Sequence, residues 1–299
     1  MFYVQDFPCA HETRSSTRAE FHEQLMRVLA SLSVPETHPA VQALGTYTFE
    51  HACAHLVASW PLAPVARGWH EIKRVGLGRL AHVVRHLGTP KHTRGLQLEA
   101  QGSSLAAYDR RWLEQFYLVA SGMPLTRLLP LPSHRGDGAS PDFVRVTGDR
   151  GLPNVRILFP TQRWVEHESV EGPIGGGCFF GKVDDFHKRA LHELYAQPVS
   201  HRGQLMMHAK SLLATYNDPP TCGWVYLGSA NFTRAAWGTI SGSREQPTLS
   251  VSNWELGVVF PLDSADVNAM DAVPYRRPVT PYAPRDTPWD VRSLGAWFS

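Results

Sequence analysis

Near the start of the chain, apolar residues fall into a helical rhythm. Phe21, Leu25, Val28, Leu29 and Leu32 recur at helical spacing behind Thr17-Arg18-Ala19-Glu20, which reads as a capping box, and the helix they predict ends before Pro35. The rhythm breaks between Pro61 and Pro64, and again from Leu128 to Pro141, where Pro, Gly and Ser accumulate; both stretches are expected as loops within one fold. From Val155 the texture is that of alternating strands and helices. Val155–Phe159 is expected as a short strand and Phe186–Ala196 as a helix. Leu205–Tyr216, Gly223–Gly228 and Glu255–Phe260 are expected as further strands, apolar enough to lie in a covered sheet. A mixed α/β sandwich follows. The sequence shows no internal repeat and no coiled coil, and the Pro-rich stretch Pro274–Pro288 is expected to be extended, either wrapped on the body or free of it.

Composition narrows the class without naming a function. At 299 residues and 43% hydrophobic, the chain can bury a sizeable core in one large or two small domains. No apolar run approaches the roughly 20 residues needed to span a bilayer. Asp6, Pro8 and Glu12 stand where a signal peptide would need a basic flank and an apolar stretch, so an intracellular protein with no membrane partner is expected. Cys9, Cys53, Cys178 and Cys222 are scattered without a C-x-x-C pair, which argues for free buried thiols over a zinc ribbon or a disulfide framework. A formal charge of +2 is too mild to identify a partner. Locally, Arg67, Lys73, Arg74, Arg79, Arg85, Lys91 and Arg94 are set against Glu71 alone, as either a phosphate-tracking surface or a solvated face. His51 with His55, and His82 with His86, have the i, i+4 spacing of helical metal ligands, but neither pair has a complete ligand set and no metal is expected. Gly175-Gly176-Gly177 lacks the Lys-Ser/Thr of a P-loop.

Chemistry concentrates in one place. His208 and Lys210, two apart in an expected strand, project from one face roughly 7 Å apart. Asn231 follows the next strand, Trp224–Gly228, so a hairpin-like return brings it beside the pair. An imidazole titrating near neutral pH, a cation and an amide donor are what a phosphodiester needs for proton transfer and for holding its non-bridging oxygens, with no cofactor.

The surrounding residues extend the match. His208-Ala209-Lys210, then Gly228-Ser229-Ala230-Asn231-Phe232-Thr233-Arg234-Ala235-Ala236-Trp237-Gly238, then Trp254-Glu255-Leu256-Gly257-Val258 resemble the second H-K-N motif of tyrosyl-DNA phosphodiesterases, in the phospholipase D superfamily. Gln101-Gly102-Ser103-Ser104-Leu105 resembles that family's serine-rich loop contacting DNA phosphates, an ordinary polar turn being the alternative. The tail from Val273 to Trp289 resembles the family's C-terminus, which leads us to expect the chain to be complete at that end. The resemblance implies an α/β fold, a phospholipase D-like mixed sheet sandwiched by helices (α-β-α), as one of two pseudo-symmetric halves. On that reading residues 1–40 are the remainder of a preceding half plus a connecting helix, and 41–299 are the C-terminal domain.

The resemblance also implies roles. The family's second histidine protonates the leaving tyrosine and later activates water, which falls to His208; Lys210 and Asn231 would bind the non-bridging oxygens. Glu255 resembles the carboxylate that orients the nucleophilic histidine of the other half, or is an ordinary strand-edge acid. Ser103, Ser104, Ser229, Thr233 and Lys182 are the expected substrate and DNA contacts. Of the fifteen histidines only His208 is followed two places later by Lys, so the family's first H-x-K is absent. A truncated gene or a genuine half-protein is expected, of very low activity alone. The implied partners are DNA carrying a 3′ tyrosyl-peptide adduct and a missing N-terminal half or second chain, in the nucleus. A non-catalytic DNA-binding module and a one-motif nuclease pairing two chains remain the alternatives.

Overall fold

Alternation of side chains in the central strands decides where the core lies. A computed structural model describes all residues except 1–4, 10–19, 62–64, 88–94, 128–137, 182, 189–190, 217–220, 264–272 and 298–299. Among the described residues an eight-stranded sheet contains β1 (His55–Ser59), β3 (Leu96–Gln101), β4 (Val155–Leu158), β5 (Tyr195–Gln197), β6 (Lys210–Tyr216), β7 (Cys222–Gly228), β10 (Glu255–Leu262) and β11 (Thr280–Pro281). Their order is β1-β10-β7-β6-β3-β4-β5-β11, with β3, β4 and β5 parallel and the other pairings antiparallel. A smaller sheet orders β2 (Ala66–Arg67), β9 (Pro247–Ser250) and β8 (Thr239–Gly242).

In β6 and β7, Leu212, Ala214, Tyr216, Trp224 and Tyr226 join the main core, which they share with Leu77, Leu80 and Val84 of the helix Gly76–His86 and Leu113 and Phe116 of the helix Arg110–Ala120. Leu213 and Val225, from alternate positions, form a second cluster with Leu158, Leu262, Val273 and Tyr275. The main-core side is tied by polar contacts as well. Trp224 Nε1 and Tyr216 Oη both donate to the Ala120 carbonyl at the end of its helix, a group with no partner inside the helix.

Several expectations stand and several need correction. The N-terminal helix runs Glu20–Ser31; residues 17–19 of its expected capping box lie outside the described residues. Its Glu20 carboxylate takes hydrogen bonds from His55 Nδ1 at 2.9 Å and Arg79 Nη1 at 2.6 Å, with His82 Nε2 at 3.4 Å. Hydrogen bonds from His55 and His82, then the Arg79 charge, hold that carboxyl far below the usual range. Arg79 is therefore buried structure and no part of a phosphate-tracking surface, and Lys91 and Arg94 lie outside the described residues. His55 belongs to a strand, so the helical spacing read for it with His51 does not apply.

The segment Phe186–Ala196 is not one helix. A helix spans Val183–Lys188, a 3-10 turn His192–Leu194, and Tyr195–Gln197 forms β5 because Tyr195 and Ala196 pair in parallel with Ile157 and Leu158 of β4. Tertiary pairing overrides the local pattern there. The strand expected from Leu205 begins only at Lys210. The four cysteines are free as expected, but three are exposed and Cys222 is half-buried. The loop Leu128–Pro141 lies mostly outside the described residues, as do 62–64 of the Pro61–Pro64 break. The Pro-rich tail wraps the body. Tyr275 Oη donates to Glu99 Oε2 at 2.9 Å, Tyr282 Oη to the Phe159 carbonyl at 2.7 Å, and Trp289 Nε1 to the Gly176 carbonyl at 2.8 Å.

Candidate active site

Register brings four chain segments to one end of the large sheet. Gly228, at the end of β7, faces Lys210 on one side and Gly257 on the other, while Ser211 faces Gln101 at the end of β3. His208 is exposed, two residues before β6 begins; Lys210, the first residue of β6, is half-buried. Lys210 Nζ donates to the His208 carbonyl at 2.7 Å and stands 3.1 Å from Nδ1 and 3.2 Å from Nε2 of the ring. An ammonium this close to both ring nitrogens disfavours a second positive charge on the ring, so the contact favours the neutral imidazole. Burial, then the Lys210 charge, lowers the His208 pKa from its ordinary 6.5. Burial also lowers that of Lys210, against the opposing influence of Glu255 and Cys178. The Phe179 ring stands edge-on to the imidazole at 6.2 Å.

Removing a like charge favours the imidazolium. Lys210→Met is therefore expected to raise the His208 titration midpoint toward the ordinary value, as followed by NMR of the ring protons. A midpoint that stays put or falls would contradict the assigned influence of Lys210.

Asn231 is fixed by its oxygen. Oδ1 accepts from the backbone N–H groups of Ser103 at 2.8 Å and Ser104 at 3.1 Å. Two donors on one atom settle the amide orientation and turn Nδ2, the donor end, away from the serine loop. The loop meets Asn231 closely: a Cβ on Gly102 would stand 2.8 Å from Oδ1. On the other side, Tyr226 Oη accepts from Ala230 N at 3.2 Å. Room for that ring comes from Gly228 and Gly257, where an added Cβ would lie 2.3 Å from the Tyr226 hydroxyl and ring respectively. The two motif glycines thus let a buried tyrosine set the turn that carries Asn231. Tyr226→Phe is expected to cost about 1–2 kcal/mol in urea unfolding by leaving the Ala230 amide without its acceptor.

Glu255 is held at both oxygens. Ser229 Oγ donates to Oε2 at 2.5 Å and accepts from Leu256 N at 3.0 Å, and Asn253 Nδ2 donates to Oε1 at 3.1 Å. The expected substrate contacts divide accordingly. Ser229 serves the Glu255 carboxylate. Ser103 is buried with both backbone polar groups engaged, Ser104 is half-buried, and Thr233 is buried with its hydroxyl oxygen capping the short helix Arg234–Trp237 through Ala236 N. Lys182 lies outside the described residues.

The structure therefore joins His208 with Lys210, Asn231 with the serine loop, and Glu255 with Ser229 at one sheet end. Sequence reading missed Gln101, Glu171, Cys178, Phe179 and Tyr226. Gln101 stands at the head of the serine-rich segment Gln101–Leu105, and the Gly175–Gly177 run immediately precedes Cys178 and Phe179, but neither signal gave these residues a role. Among the described residues no three His, Cys, Asp or Glu side chains gather as a metal site, and no helix is long and apolar enough to cross a membrane.

The mixed eight-stranded sheet packed against helices has a phospholipase D-like fold. The structure is similar to a crystal structure of a mutant yeast tyrosyl-DNA phosphodiesterase, with a TM-score of 0.63 and 18% identity, covering 95% of this chain and 66% of that one. The family model for tyrosyl-DNA phosphodiesterase matches residues 3–286, and the chain belongs to that family. Tyrosyl-DNA phosphodiesterase 1 of Drosophila melanogaster is 26% identical over 294 residues, covering 90% of this chain and 46% of the relative. The Arabidopsis thaliana protein of the same name is 23% identical over 348 residues, covering 96% and 53%. The chain spans about half the length of these curated relatives.

Proposed function

We propose that this chain carries the acid/base half-site of a phosphodiesterase that hydrolyses 3′-phosphotyrosyl DNA, as left by a topoisomerase, and related 3′ adducts. The observation that carries the reading is the contact between His208 and Lys210 at the sheet end that also holds Asn231 and Glu255. The names of the relatives support the substrate class.

In the first step a histidine attacks phosphorus, the bond from phosphorus to the tyrosyl oxygen breaks, and protonated His208 gives its proton to that oxygen. A phosphohistidine results. In the second step neutral His208 takes a proton from water as the water oxygen attacks phosphorus, which releases the 3′-phosphate and frees the nucleophile. Lys210 Nζ and Asn231 Nδ2 hold the non-bridging oxygens as charge builds, and Glu255 orients the nucleophilic ring. The sequence contains a single H-x-K, so on this mechanism the nucleophile belongs to residues outside these 299, in an upstream half or a second chain. DNA in the nucleus is the proposed partner.

A 3′-phosphotyrosyl oligonucleotide is the test, offered to the chain alone and to the chain supplied with an upstream half bearing its own H-x-K. Turnover is expected only in the second case. Binding without turnover in both cases would replace the proposal with a DNA-binding module. Turnover by the chain alone that rises with the square of its concentration would point to two chains sharing a site.

A further inference from the structure

His208 hangs on a stretch that the sheet does not hold. The ladder between β6 and β3 ends with Ser211 opposite Gln101, and β6 itself begins at Lys210. Beyond that point the described main-chain partners from Met206 to His208 are side chains. The Glu171 carboxylate accepts from Met206 N at 3.3 and 3.2 Å, Gln101 Nε2 donates to the Met207 carbonyl at 2.9 Å, and Lys210 Nζ donates to the His208 carbonyl. Glu171 is exposed and Lys210 belongs to the substrate-binding set, so the buried anchor is Gln101, which is 2% exposed.

The chemistry of that anchor is unusual for its surroundings. Gln101 lines a cavity with Gly102, Phe179, Met206 and Met207. With Nε2 committed to the Met207 carbonyl, its Oε1 is buried and has no hydrogen-bond partner. An unsatisfied buried acceptor costs stability, and an apolar side chain of similar size would avoid that cost. Leucine would remove that orphan acceptor but leave the Met207 carbonyl without its donor, so the two effects on stability oppose one another. What leucine cannot supply is the donor that fixes the peptide immediately before His208.

We propose that Gln101 is the positioning residue of His208, its carboxamide taking over where the β6 ladder stops and holding the imidazole in place against Phe179. The proposal rests on the acid/base reading of His208. Gln101→Leu removes the donor and the orphan acceptor together. Gln101→Glu keeps the shape but, when ionised, replaces the donor with an acceptor facing the Met207 carbonyl.

Two readouts test this. In NMR of this chain, with the His208 signal assigned by its loss in His208→Asn, Gln101→Leu is expected to raise the His208 titration midpoint toward its ordinary value, as the ring moves away from the Lys210 ammonium and the Phe179 edge. In turnover of the 3′-phosphotyrosyl oligonucleotide with the upstream half supplied, both variants are expected to lower kcat about tenfold to a hundredfold with KM little changed. Thermal stability of Gln101→Leu should stay close to that of the parent chain, because the orphan acceptor it removes offsets the lost Met207 hydrogen bond, whereas a merely structural glutamine would lower stability and turnover together. If His208→Asn abolishes turnover while Gln101→Leu leaves both kcat and the midpoint unmoved, the Gln101 proposal fails alone. If His208→Asn turns over normally, the acid/base reading fails and takes this proposal with it.

Discussion

His208→Asn is expected to slow turnover of a 3′-phosphotyrosyl oligonucleotide by about a thousandfold once an upstream half supplies the nucleophile. The size of the loss follows from the leaving group. Tyrosine departs as a phenolate of ordinary pKa about 10, a poor leaving group unless it gains a proton as the bond to phosphorus breaks. Asparagine occupies similar space but neither gives nor takes that proton. Substrates with a more acidic phenol in place of tyrosine leave without help, so on them the first step should be largely restored. The second step still needs a base to take a proton from water, and phosphohistidine on the supplied half should accumulate as a trapped species. Gel detection of labelled DNA bound to protein would show it. An equal loss for acidic and ordinary phenols, with no trapped species, would rule out the acid/base role.

The pKa directions fit a group that must work in both protonation states. In the free chain burial and Lys210 keep His208 below its ordinary 6.5, the condition of a base. A bound phosphodiester brings negative charge and competes for the ammonium that now rests on the ring. Both effects raise the imidazole pKa and favour the acid at the moment the first step needs it. Turnover limited by the first step should therefore fall as pH rises through the value of the bound complex, and that value should exceed the midpoint of the free chain.

Much of this was legible in the residues because it was local. The strands Val155–Leu158, Cys222–Gly228 and Glu255–Leu262 are short and apolar enough to be read as covered strands, and the short link from Gly228 to Asn231 leaves little freedom in where the amide goes. What was hidden depends on partners distant in sequence. Gln101 meets Met207 across 106 positions and Asn231 meets Ser103 across 128, and no periodicity encodes either contact. The same cause explains the misread stretch before Lys210: Leu205, Met206 and Met207 are as apolar as a strand, but they line a cavity and find no neighbouring strand. Tyr195–Gln197 erred the other way. Its helical pattern yields to pairing on both sides, with Ile157 and Leu158 of β4 and with Thr280 and Pro281 of β11.

Trp289→Ala is expected to cost about 3–5 kcal/mol of stability, the range for emptying a buried aromatic site, with the urea m-value unchanged. Its indole is fully buried and belongs to the main core although it lies in the Pro-rich tail. It donates through Nε1 to the Gly176 carbonyl at 2.8 Å and through its backbone N–H to the Pro160 carbonyl at 2.9 Å. The glycines on either side of Phe179 close on it: a Cβ on Gly176 would stand 2.6 Å from the indole, and one on Gly181 would stand 1.7 Å from the Trp289 carbonyl oxygen. The tail thereby grips the segment that carries Cys178 and Phe179, and Phe179 in turn abuts His208. Loss of the indole should loosen that segment before the protein unfolds, seen as faster amide exchange across 176–181 under native conditions. Trp289→Phe keeps most of the packing and gives up the Gly176 hydrogen bond, so it should cost clearly less. Equal losses for Phe and Ala would place the energy in the hydrogen bond, whereas a loss below about 1 kcal/mol for Ala would mean that the tail does not hold this end of the sheet.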